Sequence, residues 1–230
     1  MNLIRRRNVW WPTWWGWTLL LVATLAGLSF AARQANPFFA LTAPAQDASG
    51  APTALLVVEG WMGEDDLRQV LAAVPAGRYA QVVTIGGPIA SWGSFPSHAE
   101  RAADYLRRGG LPTRAVPAIT AHTERTYTSA LAVRNWARRE GLEVSSVDVY
   151  SPGVHARRSL LLQRMAWGPG VTVGVRSTQP AEYDAARWWA SSEGTKSLLN
   201  EALSLAWTKC CFWPPASSSS SAPSAAPISR

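Results

Sequence analysis

Residues 147–165 read VDVYSPGVHARRSLLLQRM, and this stretch decides the fold. Val147, Val149 and Tyr150 make a short apolar run of strand length, and Ser151, Pro152 and Gly153 break it. Beyond the turn, apolar residues return at helical spacing through Leu160 to Met165. A strand that turns directly into a helix is half of a βαβ unit. Working outward, the same alternation recurs along the chain. Strands are predicted over residues 54–59, 81–85, 115–119, 147–150 and 171–175, with helices over 65–74, 97–108, 127–140, 156–165 and 197–209. Alternation of this kind predicts an α/β fold, a Rossmann-like three-layer sandwich with a mainly parallel central sheet.

In an open α/β sheet ligands bind at the C-terminal ends of the strands, so the residues just after each strand are the functional candidates. HARRS, residues 155–159, places Arg157 and Arg158 in the first turn of a helix, where the positive end of the dipole disfavours cations. Either they hold something negative, or they are two solvated arginines. Arg125 precedes the helix at 127–140 and gains nothing from its dipole either, whereas Thr126 is a natural N-cap. Three guanidiniums from two loops would suit a phosphate or a carboxylate, gripped through bidentate bonds. His155 is a candidate general acid or base or a donor to a phosphoryl oxygen, with a structural cap as the alternative.

Glu59 and Gly60 end the first strand, so a carboxylate stands at the same edge. Glu59 can accept from a ligand hydroxyl, serve as a general base, or pair with Arg125 or Arg157. Gly86 and Gly87 let the backbone approach a ligand with bare N–H groups, or simply make a tight turn before Pro88. Ser97 and Glu100 have the spacing of a capping box. Glu201 is placed to accept hydrogen bonds from the arginines, and Trp188 and Trp189 to close a core or a pocket wall. His98, His122 and His155 all follow strands, but they lack close ligand spacing and a cysteine partner. No metal and no cofactor are therefore expected.

The ends of the chain differ in composition from its middle. No charged residue occurs between Arg7 and Arg33, a span long enough to cross a bilayer as a helix. Trp10, Trp11, Trp14, Trp15 and Trp17 crowd one end of it, with Arg5, Arg6 and Arg7 just outside. Residues 1–35 thus read as a membrane anchor, with the positive-inside rule placing the N-terminus in the cytoplasm and the domain outside it. A signal peptide cleaved after Ala31 is the rival reading. Residues 36–52 are rich in Pro, Ala and small polar residues and read as a tether, and the Ser/Pro/Ala tail at 214–230 is expected to be disordered. Between Thr53 and Trp213 there are 17 Lys+Arg against 14 Asp+Glu, a net +3 of the chain's +7, with no basic stripe interleaved with aromatics. Nucleic acid is not an expected partner. Cys210 and Cys211 are adjacent, which implies no disulfide framework.

Several motifs then stand in a fixed order: VVEGWM (57–62), TIGGP (84–88), Ser97 with Glu100, ERTY (124–127), HARRS, and WWASSEGTKSLLNE (188–201). Together they resemble the SanA/YdcF/ElyC-like family of bacterial proteins, over essentially the whole predicted domain. That resemblance implies a Rossmann-like domain, often tethered to the inner membrane and linked to envelope integrity and cell-wall precursor supply. One cytoplasmic member binds S-adenosylmethionine, and no reaction is assigned to the family as a whole. The chain departs from the common family form, in which a Gly-rich turn follows the first strand, by carrying Glu59, Gly60 and Trp61 there.

Two functions are expected on these grounds. In one, a single-pass inner-membrane protein acts outside the cytoplasm on a phosphorylated ligand, such as a lipid-carrier-linked cell-wall precursor. In the other, a noncatalytic module binds a nucleotide-like ligand of the S-adenosylmethionine type or a sugar phosphate.

Overall fold

The computed structural model describes residues 12–45, 53–75, 77–89, 94–117 and 125–214. Its strands are β1 (Thr53–Glu59), β2 (Tyr79–Gly86), β3 (Arg114–Pro117), β4 (Ser146–Pro152) and β5 (Thr172–Thr178). They form one all-parallel sheet in the order β3-β2-β1-β4-β5. The helices are α1 (Trp14–Phe39), α2 (Glu64–Ala73), α3 (His98–Arg108), α4 (Arg125–Arg139), α5 (Ala156–Trp167) and α6 (Ser192–Cys210). Parallel strands covered on both faces are apolar without a break, as in β1. There Leu55 and Val57 pack with Val133 and Trp136 of α4 and Leu160 of α5, while Leu56 and Val58 pack with Leu67 and Val70 of α2 and Leu106 of α3. The expected three-layer sandwich is therefore present.

The strand order has a functional consequence. From β1 the chain builds outward through β2 to β3, then returns across the sheet to place β4 on the other side of β1. Connections leave β1 and β4 in opposite directions, which opens a crevice at their C-terminal ends, the place where ligands bind in folds of this type.

Helix α1 is 26 residues long, and no residue of its most apolar stretch is buried. It is long and apolar enough to span a membrane. Thr13 caps it, accepting from the Gly16 amide at 3.3 Å. At its far end the helix does not run into a loose tether. Asn36 to Phe39 remain helical, and the Trp188 indole donates to the Ala32 carbonyl at 2.8 Å. Arg157 donates to the Phe38 carbonyl and stacks over its ring, 3.8 Å from the centroid.

Residues 40–45 then lie along β5, with Ala43 bridged to Val175 in antiparallel sense. The Ala45 amide donates to the buried Asp148 carboxylate at 2.6 Å. That carboxylate also accepts from the Tyr79 hydroxyl at 2.8 Å, and burial, followed by the nearby Asp148 charge, pushes the Tyr79 phenol up to about 12. Of the expected tether, only 46–52 lie outside the described residues, as does nearly all of the expected tail.

Gly174 makes this crossing possible. A Cβ there would stand 1.9 Å from the Ala45 amide nitrogen and 2.4 Å from Asp148 Oδ1. Gly174→Ala is accordingly expected to lower stability by about 2–3 kcal/mol. Gly170→Ala, where a Cβ meets nothing within 4 Å, should stay within about 0.5 kcal/mol. Thermal unfolding of the detergent-solubilised chain checks both, and equal effects would contradict the docking of residues 40–45.

Candidate functional site at the end of the central strand

Glu59 is the last residue of β1 and only 1 % exposed. A carboxylate this deep requires hydrogen-bond donors. Ser151, near the end of β4, donates to Oε2 at 2.9 Å, and Ser159, in the first turns of α5, donates to Oε1 at 2.6 Å. The Ser-Pro-Gly turn between them carries the chain over the end of β1 as a short 3-10 segment, Gly153–His155, with Gly153 at φ +41°.

That turn delivers His155, buried, onto the same carboxylate. Its Nε2 lies 3.7 Å from Glu59 Oε2 and 3.5 Å from the Thr126 hydroxyl. Its Nδ1 lies 2.9 Å from Glu201 Oε1. Arg158 grips Glu201 bidentately, Nε to Oε2 at 2.8 Å and Nη2 to Oε1 at 3.0 Å. Arg158 Nη2 is also 3.0 Å from His155 Nδ1. Both nitrogens share the Glu201 oxygen; in the tautomer with its proton on Nδ1, that proton is directed at Glu201 and Nε2 faces Glu59 and Thr126. The Trp61 ring, half exposed, packs edge-on against the imidazole with centroids 5.1 Å apart. A histidine oriented by a carboxylate on one nitrogen, with the other open to a hydroxyl, is arranged for proton transfer.

Glu201 is strongly perturbed. Burial alone would raise its pKa, but hydrogen bonds from Arg158 and His155 outweigh that and hold it down at about 2.

The structure thus brings together Glu59, Thr126, His155 and Arg158, and adds Glu201, Ser151 and Ser159. Thr126 is not the N-cap expected of it. Arg125 is already helical, so Thr126 lies within α4 and its hydroxyl turns to His155 instead. Arg125 is exposed at that helix start, close enough to His98 to lower the histidine's pKa, after burial and Arg101. Arg157 is not with Arg158; it holds α1.

Gly60 and Gly86 serve packing. A Cβ on Gly60 would fall 2.6 Å from the His98 carbonyl oxygen, and one on Gly86 would fall 2.7 Å from the His98 Cβ. Both let the start of α3 press onto the strand ends. Gly87 accepts from the His98 amide at 2.9 Å. Ser97 caps α3 through the Glu100 amide at 3.1 Å, one half of the expected box. Among the described residues no three of His, Cys, Asp and Glu are grouped to hold a metal ion. His122 lies outside them.

Sequence reasoning missed Ser151 and Ser159 as partners of Glu59. A signal was available: Ser159 lies one helical turn after His155, on the same side of the helix.

Fold and crevice define a Rossmann-like α/β domain behind an N-terminal helix able to span a membrane. No protein-family model matches the chain, and no curated protein is significantly similar to it in sequence.

The Glu201 shift sets a pH dependence. Its folded pKa, about 2, lies below its ordinary 4.5, so its contribution is present above pH 4.5 and is lost as pH falls toward 2. At neutral pH Glu201→Gln is expected to cost on the order of 2 kcal/mol, allowing for the partial exposure of the pair. The gap to wild type should close as pH drops through that window. Denaturant unfolding at a series of pH values measures it, and a gap independent of pH would contradict the pairing.

Proposed function

We propose that this chain is a single-pass membrane protein of the SanA/YdcF/ElyC type, whose α/β domain binds an anionic, phosphorylated ligand in the crevice between β1 and β4. The observation that carries the reading is the convergence of Glu59, Thr126, His155, Arg158 and Glu201 on that crevice. Helices α3, α4 and α5 begin at the same edge, where their N–H groups and dipoles favour negative charge. Arg125 stands exposed at the start of α4 and makes no ion pair among the described residues. It supplies the cation that Arg158, paired to Glu201, does not supply on its own.

His155 is the group to move a proton. Its Nδ1–H is fixed by Glu201, and its Nε2 can give a proton to a ligand oxygen or take one from it. Glu59 anchors the turn that holds the imidazole. A nucleotide laid over the turn after β1, as in dinucleotide-binding domains, is disfavoured, because the His98 carbonyl already fills the space beside Gly60.

For location, the reading is the bacterial inner membrane, with α1 crossing it and the domain outside the cytoplasm. Support comes from the arginines before α1 and the tryptophans at its start. A reporter that is active only outside the cytoplasm, fused after residue 53, is expected to be active. Activity of a cytoplasm-only reporter there would overturn the orientation.

Ligand binding is tested with the detergent-solubilised full chain and inorganic pyrophosphate, read by tryptophan fluorescence through Trp61. Affinity should fall as salt rises, and Arg125→Ala should weaken it at least tenfold. Binding that ignores both salt and Arg125→Ala would contradict an anion site. Mass spectrometry of molecules that copurify with the chain identifies the natural ligand, and a phosphorylated species is expected.

A further inference from the structure

Helix α6 has a face that the domain does not use. Leu198, Leu205 and Thr208 point inward and are buried. On the opposite side Leu199, Leu203 and Trp207 are exposed, Leu203 by 71 %. At about 100° per residue they fall on one stripe with Ala206 and Cys210. From Leu199 to Cys210 that stripe carries no charge, and Lys196 and Lys209 flank it. Trp213, just beyond the helix, is 83 % exposed. Exposed apolar surface of this extent marks an interaction site.

Its position says with what. Helix α6 packs against α1 and against the 3-10 turn Ala185–Ala190. In that turn Trp188 donates to the carbonyl of Ala32, and its neighbour Trp189 is exposed. The helix that carries the stripe therefore packs where the apolar helix meets the domain. Leucines with a tryptophan on one side and lysines at the border are what an interfacial helix presents to lipid. A groove of about 290 Å³ beside the stripe is lined by Leu203, Ser204, Trp207 and Thr208 together with Arg158 of the site.

We propose that the exposed face of α6 lies on the bilayer that α1 crosses, so that the domain rests on the lipid surface with the Arg158 groove opening at the level of the headgroups. The proposal rests on α1 being a membrane span and needs no ligand. Two contacts fix the domain relative to the membrane: α1 through it and α6 along it.

The test uses the full chain carrying Cys210→Ser and Cys211→Ser, both native cysteines being free and exposed. It is reconstituted in vesicles of phosphatidylethanolamine and phosphatidylglycerol. Single cysteines replace Leu199, Leu203, Trp207, Leu25 in α1, or Arg68 on α2, and each is spin-labelled. Oxygen, which concentrates in lipid, and a water-soluble nickel chelate compete as relaxation agents. Oxygen should dominate at Leu25, Leu199, Leu203 and Trp207, and the chelate at Arg68. A lipid signature at Leu25 with chelate dominance on α6 overturns the α6 contact and leaves the anchor standing. Protection of α6 from both agents means a protein partner or a second copy covers the stripe, which also overturns it. A water signature at Leu25 refutes the anchor and this inference together.

Discussion

A carboxylate buried at the end of the central strand constrains everything around it. Left without partners, an ionised Glu59 would cost several kcal/mol. Its donors come from Ser151 and Ser159, which flank a single turn, so the chain after β4 has to fold over the end of β1. That one requirement fixes the entry angle of α5. It also sets His155 between Glu59 and Glu201 and places Arg158 where it can close the second carboxylate. The crevice that the strand order opens is thus furnished by hydrogen bonds that the fold needs in any case.

The same economy joins the domain to its N-terminal helix. Arg157 and Arg158 are neighbours in the first turn of α5, rotated by about 100° from each other. One reaches Phe38 at the end of α1 and the other reaches Glu201 on α6. Helix α5 therefore connects the crevice to both α1 and α6. Residues 40–45 secure the junction from the other side by running along β5 and ending on Asp148. A helix held at Ala32 and Phe38, with the chain beyond it held at Ala45, is fixed against the domain at both ends of this junction.

Much of this was legible in the residues. The strands stood out because parallel strands between two helical layers are continuous apolar runs, as in LLVV of β1 and VVTI of β2. The alternation of strands and helices was equally plain, and so was the apolar N-terminal helix. Errors came at boundaries: α4 already includes Arg125, which changes what Thr126 does, and α6 begins at Ser192, capped by Ser191. Residues 40–45 gave no strand signal, since LTAPA is short and holds a proline.

Within the site, the pairing of Glu201 with an arginine was legible in the sequence, but the partners of Glu59 were not. Glu59 meets Ser151 and Ser159 across some hundred residues of chain, a contact that no local period encodes. Nor does a local pattern reveal which of two adjacent arginines turns inward. The packing role of the glycines was hidden for a related reason. Gly60 and Gly86 make room for the start of α3, a need that only the position of His98 reveals.

The central claim is that His155 is a working group in a ligand site and not merely one member of a closed internal network. Nitrogen-15 NMR of the full chain labelled at histidine, recorded with and without inorganic pyrophosphate, addresses it most directly. The account predicts that Nδ1 of His155 stays protonated and hydrogen-bonded throughout while the Nε2 resonance shifts as pyrophosphate is added. An Nε2 resonance that does not move at saturating pyrophosphate would contradict it.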